Sequence, residues 1–215
     1  MVECLQVMEM KQNYQHLMEQ QLAQFTAQNR RPRILLHGCC APCASYVLEY
    51  LYAQADITMF FYNPNISPES EFSYRAAELN RLIAETGREI PVVCPAYDPT
   101  PFLQMAKGRE HLPEGSERCY DCYALRLRAA ADYAAQNGFD FFTTTLSISP
   151  HKNAEWLNQI GKALEAEYGV PYLYADFKKK NGYKRSIELS REYRLYRQDY
   201  CGCIFSKSAR RSDAR

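Results

Sequence analysis

The 215-residue sequence predicts an α/β protein, a parallel sheet covered on both faces by helices. Three observations predict it. Short apolar runs alternate with helical stretches of about 10 to 20 residues, so every strand-to-strand connection is long enough for a crossover helix. Hydrophobic residues make up 47% and charged residues 24%, the balance of a globular chain that buries one core without disulfides. No uninterrupted apolar stretch reaches the ~18 residues of a membrane span.

Residues 3 to 28 carry long polar side chains, no Gly or Pro, and apolar positions at Leu5, Met8, Leu17 and Leu22, which predicts a peripheral amphipathic helix. Arg33 to His37 is an apolar run between Pro32 and Gly38, a buried strand feeding a Gly-Cys-Cys turn and a helix over 42–55. A second strand over 57–62 stops at Asn63-Pro64-Asn65, and a helix over 68–87 has Pro68 and Glu69 in its first turn. A third strand over 89–93 precedes helices over 101–107 and 119–137, the latter ended by Gly138. A Phe- and Thr-rich strand over 139–146, a helix over 153–168 and a short strand over 170–175 complete the alternation. The expected organisation is an N-terminal helical extension over 1–30, an α/β domain over 31–206 and a basic tail over 207–215. The first thirty residues lack a basic region followed by an apolar segment and a cleavage site, so a cytoplasmic location is expected.

In a parallel sheet, ligands bind at the carboxyl ends of the strands. The loops expected there are Gly38-Cys-Cys-Ala-Pro-Cys43, the segment holding Asn63 and Asn65, and Ser147-Ile-Ser-Pro-His-Lys152, and all three should converge on one crevice.

Nine cysteines are well below the density of a secreted disulfide scaffold, and in a reducing compartment they point to metal or redox chemistry. Seven fall in three clusters: Cys39, Cys40 and Cys43; Cys119 and Cys122; Cys201 and Cys203. The first two clusters sit at predicted helix starts, where the helix dipole and free N–H groups favour a thiolate. Four such thiolates suit a zinc ion or an iron–sulfur cluster in ligand number, and the adjacent Cys39-Cys40 pair suits separate iron corners better than paired zinc knuckles. Taken alone, Cys40-Ala-Pro-Cys43 is also the arrangement of a thioredoxin-like dithiol, Cys119-Tyr-Asp-Cys122 a zinc half-site, and Cys201-Gly-Cys203 a pair of buried thiols. Cys4 and Cys94 are isolated and read as inert. His151 and Lys152 suit either an anionic substrate group or a helix cap.

Net charge of +1 hides an asymmetry. From Lys178 onward there are 12 Lys or Arg against 4 Asp or Glu, a local balance of +8, and the first 177 residues carry −7. With Tyr183, Tyr193, Tyr196, Tyr200 and Phe205 interleaved, this segment suits single-stranded or looped nucleic acid as well as a solvated helical face.

Five ordered blocks then resemble one family. His37-Gly-Cys-Cys-Ala-Pro-Cys43, Phe61-Tyr-Asn-Pro-Asn-Ile66, Arg118-Cys-Tyr-Asp-Cys-Tyr123, Thr143-Thr-Thr-Leu-Ser-Ile-Ser-Pro-His-Lys152 and Leu195-Tyr-Arg-Gln-Asp-Tyr-Cys-Gly-Cys203 are similar to the cobalamin-independent epoxyqueuosine reductase family, QueH. The resemblance spans residues 33 to 206. It implies a sheet similar to the nucleotide-binding folds of the ATP pyrophosphatases and reduction of the epoxide of epoxyqueuosine, at the tRNA wobble position, to queuosine. It also implies a [4Fe-4S] cluster on Cys39, Cys40, Cys119 and Cys122, a redox-active pair at Cys201 and Cys203, an unidentified electron donor and an additional mononuclear iron beside the cluster. Asp121 is a candidate ligand for that iron, and equally a helix N-terminal charge. Cys43 receives no role from the resemblance.

Removing an epoxide oxygen as water needs two electrons and two protons, which a dithiol closing to a disulfide supplies. The alternatives from other classes are a thiol–disulfide oxidoreductase using Cys40 and Cys43, a zinc-stabilised RNA binder, and an ATP-dependent tRNA-modifying enzyme. The last requires a Ser-Gly-Gly-x-Asp-Ser phosphate loop where this chain reads His-Gly-Cys-Cys-Ala-Pro.

Overall fold

The computed structural model describes residues 12–213. Its centre is a four-stranded, all-parallel sheet of β1 (Arg33–His37), β2 (Asp56–Phe60), β3 (Val92–Val93) and β4 (Phe141–Thr144), in the order β3-β2-β1-β4. That order is the first four positions of the doubly wound arrangement, with the connection reversing direction between β1 and β4. The helices are α1 (Tyr14–Ala27), α2 (Ala41–Tyr52), α3 (Glu69–Glu85), α4 (Thr100–Ala106), α5 (Glu117–Gln136), α6 (Ala154–Tyr168), α7 (Gly182–Glu192) and α8 (Ile204–Asp213).

Strand alternation assigns the layers. Ile34 and Leu36 point to a core shared with Met18 and Leu22 of α1, Leu48 and Leu51 of α2, and Leu79 and Ile83 of α3. Leu35, between them, points to the opposite core with Leu127 and Ala131 of α5 and Leu157 and Ile160 of α6. Both faces are thus buried, as an all-parallel sheet requires. Gly161 permits the second layer to close: a Cβ there would lie 2.3 Å from the Tyr172 ring.

The strands are shorter than their apolar runs predict. Pro91 cannot donate to a ladder, so β3 shrinks to Val92 and Val93, with the Pro91 carbonyl still accepting from Met59 N–H at 2.8 Å. After Thr144 the chain turns into a 3-10 segment, Thr145–Ile148, because the Thr144 hydroxyl accepts from Leu146 N–H at 3.1 Å. The run over 170–175 adds one parallel bridge, Tyr172 to Phe142, rather than a strand, since Pro171 interrupts it. The predicted N-terminal helix is present from Tyr14; its earlier part, with Cys4, lies outside the described residues.

Candidate redox site

The direction reversal between β1 and β4 opens a crevice of about 510 Å³ at the carboxyl end of the sheet. Its walls include Cys39 and Cys43 from the loop after β1, Ser149 and Lys152 from the loop after β4, and Cys201 from the segment before α8. Two of the three predicted loops therefore line it. Asn63, from the third, lies beneath and donates to the Gly38 carbonyl at 2.9 Å, bracing the Gly-Cys-Cys turn.

The sulfurs of Cys39, Cys40 and Cys43 lie within 4.8 Å of one another. Cys40 is the N-cap of α2, and its thiol is held well below the ordinary range because Cys39 and Cys43 both donate to its sulfur at the helix start. Cys43 is correspondingly pushed up by its bonds to Cys39 and Cys40. Cys43, which the spacing grouped with Cys39 and Cys40 but to which the resemblance gave no role, is thus a full member of the trio, one helical turn from Cys40.

Cys119 and Cys122 stand outside this tight trio, in the first turns of α5. Cys119 shares an apolar cluster with Cys39 and Cys40, and its sulfur accepts from Gly115 N–H at 3.3 Å. Cys122 packs with Cys203 and Phe102, and burial pushes its thiol up to about 11. Asp121 pairs with Arg109. The donors offered around the first loop are all sulfur, which fits a thiolate-ligated cluster. The nearby imidazole of His37 is engaged elsewhere: its Nε2 donates to the Tyr62 carbonyl at 3.1 Å, leaving Nδ1 to accept from the Thr144 hydroxyl at 2.9 Å. Desolvation holds His37 down at about 4, so it is neutral and joins the ends of β1 and β4 rather than a metal.

The C-terminal pair is asymmetric. Gly202 has φ +114°, and a Cβ there would press on Arg75 at 3.0 Å and Ile66 at 3.2 Å, so only glycine turns the chain tightly here. Ser67 N–H donates to the Gly202 carbonyl at 2.9 Å and the Tyr200 hydroxyl to the Ser67 carbonyl at 3.1 Å, tying the turn to the start of α3. Cys203 donates to Cys201, and Lys152 Nζ stands 3.3 Å from the Cys201 sulfur; together they bring Cys201 down to about 5. Cys203 is pushed far up by the same bond and by burial. Glu114, absent from the sequence reading, accepts from Lys152 at 3.1 Å and from the Ser206 hydroxyl at 2.9 Å, and Ser206 N–H donates to the Cys203 sulfur at 3.4 Å. Nothing in the loop sequence around Glu114 marks it, since its partners lie 38 and 92 residues away.

The basic segment is partly neutralised within the molecule. Lys180 pairs with Glu19, Lys178 with Asp176 and Arg185 with Glu49. Arg197, Tyr183 and Tyr200 reach the crevice itself, and Lys207 lies over the Tyr200 ring at 5.4 Å.

A doubly wound parallel sheet with thiol clusters gathered at its switch-point crevice is the build of a cysteine-based redox enzyme. The family model described as epoxyqueuosine reductase QueH matches residues 34–209. The chain is 42% identical over 200 residues to the epoxyqueuosine reductase QueH of Streptococcus pyogenes, covering 91% of this chain and 78% of the relative. It is 41% identical to that of Staphylococcus epidermidis (91% and 85% covered) and 39% identical to that of Staphylococcus aureus (91% and 84% covered), each over 202 residues. The chain belongs to the epoxyqueuosine reductase QueH family and is by that membership an oxidoreductase. Membership supersedes the thioredoxin-like reading of Cys40 and Cys43. Among the described residues no helix is long and apolar enough to cross a membrane.

Proposed function

We propose that this chain reduces the epoxide of epoxyqueuosine in tRNA to the alkene of queuosine in the cytoplasm, using a [4Fe-4S] cluster held by Cys39, Cys40, Cys119 and Cys122 and the dithiol of Cys201 and Cys203. The observation that carries the reading is the shared crevice: Cys39 and Cys43 on one wall and Cys201 on another, with 157 residues between Cys43 and Cys201 in the chain.

When bound, the cluster supplies electrons one at a time. The chain's own residues do the rest. The crevice at the sheet's end admits a base splayed from a loop, with Tyr183 as a stacking face and Arg197 as a phosphate contact. Overall, the Cys201 thiolate and the Cys203 thiol become one disulfide and release two electrons and one proton; with a second proton from the Lys152 ammonium, the two epoxide C–O bonds break, the oxygen leaves as water and the C=C bond forms. Cys201, as thiolate beside Lys152, is the sulfur that opens the exchange; Cys203, fully protonated, closes the disulfide. The Lys152 ammonium, hydrogen-bonded to Glu114, is a proton source within the crevice wall. The small ring is then re-reduced by a donor of the thiol or ferredoxin class. Cys43 leaves one further sulfur for an additional mononuclear iron, whereas Asp121 is engaged by Arg109.

Anaerobic purification tests the reading. Iron and acid-labile sulfide in cubane proportion, broad absorbance near ~400 nm, and conversion of epoxyqueuosine-containing tRNA are expected. Stoichiometric zinc without sulfide, or an inert iron-loaded protein, would overturn it.

A further inference from the structure

Arg126 is a charge without a carboxylate. It is 2% exposed, on α5, and a guanidinium cannot lose its proton in a protein. Its Nε donates to the Cys122 carbonyl at 3.1 Å and its Nη1 to Asn63 Oδ1 at 3.5 Å, while its Nη2, also buried, has no partner. No ion pair with Asp or Glu is formed by Arg126 among the described residues. Arg75, the other fully buried arginine at the site, has Glu71 at 2.7 Å. Burying an uncompensated guanidinium is strongly unfavourable, and such a group persists where an anion faces it.

The anion is identifiable from position. Cys119, Cys122 and Arg126 are spaced i, i+3 and i+7 on α5, which places them along one helix face. Asn63, which receives Nη1, also holds the carbonyl of Gly38 next to Cys39. Arg126 therefore sits between the two halves of the cysteine set.

We propose that Arg126 is the counter-charge of the cysteine-held redox centre and sets its reduction potential. This rests on the reading that those thiolates hold an iron–sulfur cluster. A fixed positive charge in a water-poor interior favours the more negative, reduced state, and the effect is strong because little solvent screens it. Arg126 is a positioning residue in this sense; it acts on the electron equilibrium, not on the substrate.

The test is an anaerobic redox titration of the reconstituted full-length chain, followed by visible absorbance and electron paramagnetic resonance. Arg126→Met keeps the apolar stem and removes the charge. Its midpoint should fall so that the oxidised-to-reduced ratio at a fixed potential rises at least tenfold, which is 59 mV for one electron. Arg126→Lys retains the charge and should stay within threefold of the parent. An unchanged midpoint in Arg126→Met, with the parent cluster intact, overturns this inference alone. A parent chain without iron and sulfide overturns the proposed function and this inference with it. Should Arg126→Met take up no cluster, melting of the metal-free proteins decides: equal melting supports a counter-charge needed for loading, and a lowered melting temperature shows a packing role and overturns the proposal.

Discussion

Lys152 Nζ lies 3.3 Å from the sulfur of Cys201, and Lys152 is 49 residues earlier in the chain, on the loop that leaves β4. The ammonium side chain is only 9% exposed and shares its protons between that sulfur and Glu114. The groups facing Cys201 are thus Lys152 and Arg126, which favour the thiolate, Glu114, which opposes it, and Cys203, which donates to it.

Removing that ammonium should weaken the thiolate. Cys203 still donates in Lys152→Met, so the Cys201 midpoint should rise from about 5 by about one unit rather than return to the free-thiol value. A higher pKa leaves less thiolate at any pH below it, so iodoacetamide alkylation of Cys201 at acidic pH should slow roughly tenfold. Lys152→Arg should restore most of the rate. Peptide mass spectrometry across a pH series measures this, and a superimposable profile in the Met variant would rule out the ion pair as the cause.

Cluster ligands and redox pair separate by substitution. Cys119→Ser removes one of four proposed thiolates, and iron, sulfide and turnover should all be lost or become labile. Cys201→Ser and Cys203→Ser should retain iron and spectrum but lose turnover by several orders of magnitude, because a lone thiol cannot form the intramolecular disulfide. Iron loss in the Cys201 or Cys203 variants, with the cluster kept in Cys119→Ser, would show the two roles reversed.

Binding of tRNA should weaken steeply with salt if α8 contributes phosphate contacts. Neutralising Lys207, Arg210 and Arg211 together to Gln leaves α8 without a helix breaker. The slope of log affinity against log salt should become shallower by about two to three. Filter binding between ~50 and ~200 mM salt measures it. An unchanged slope would confine the contacts to the Arg197 side of the crevice.

The layered fold was legible because its signal is local. The run from Arg33 to His37 is bounded by Pro32 and Gly38, and β1 takes those same limits. Strand ends were less legible where a single side chain decides them, as with the Thr144 hydroxyl that turns the chain into the 3-10 segment, or Pro91 and Pro171, which remove ladder donors. The cysteine clusters, Cys43 included, were visible as spacing, yet how closely the three sulfurs of the first cluster approach was not, because that depends on the entry angle of α2. Arg126 left a trace that spacing alone could have raised, four residues beyond Cys122 on the same helix. Glu114 left none, since its role exists only once residues 114, 152 and 206 meet.

The tether between Gly202 and Ser67 gives the molecule an order of completion. All four strands of the sheet lie before residue 145, and the cysteines proposed to hold the metal lie before residue 123. The dithiol, by contrast, is threaded back from the far end of the chain and latched onto the start of α3. The wall that carries Cys201 is therefore an added piece on a sheet already complete, held to it through the Gly202–Ser67 and Tyr200–Ser67 hydrogen bonds.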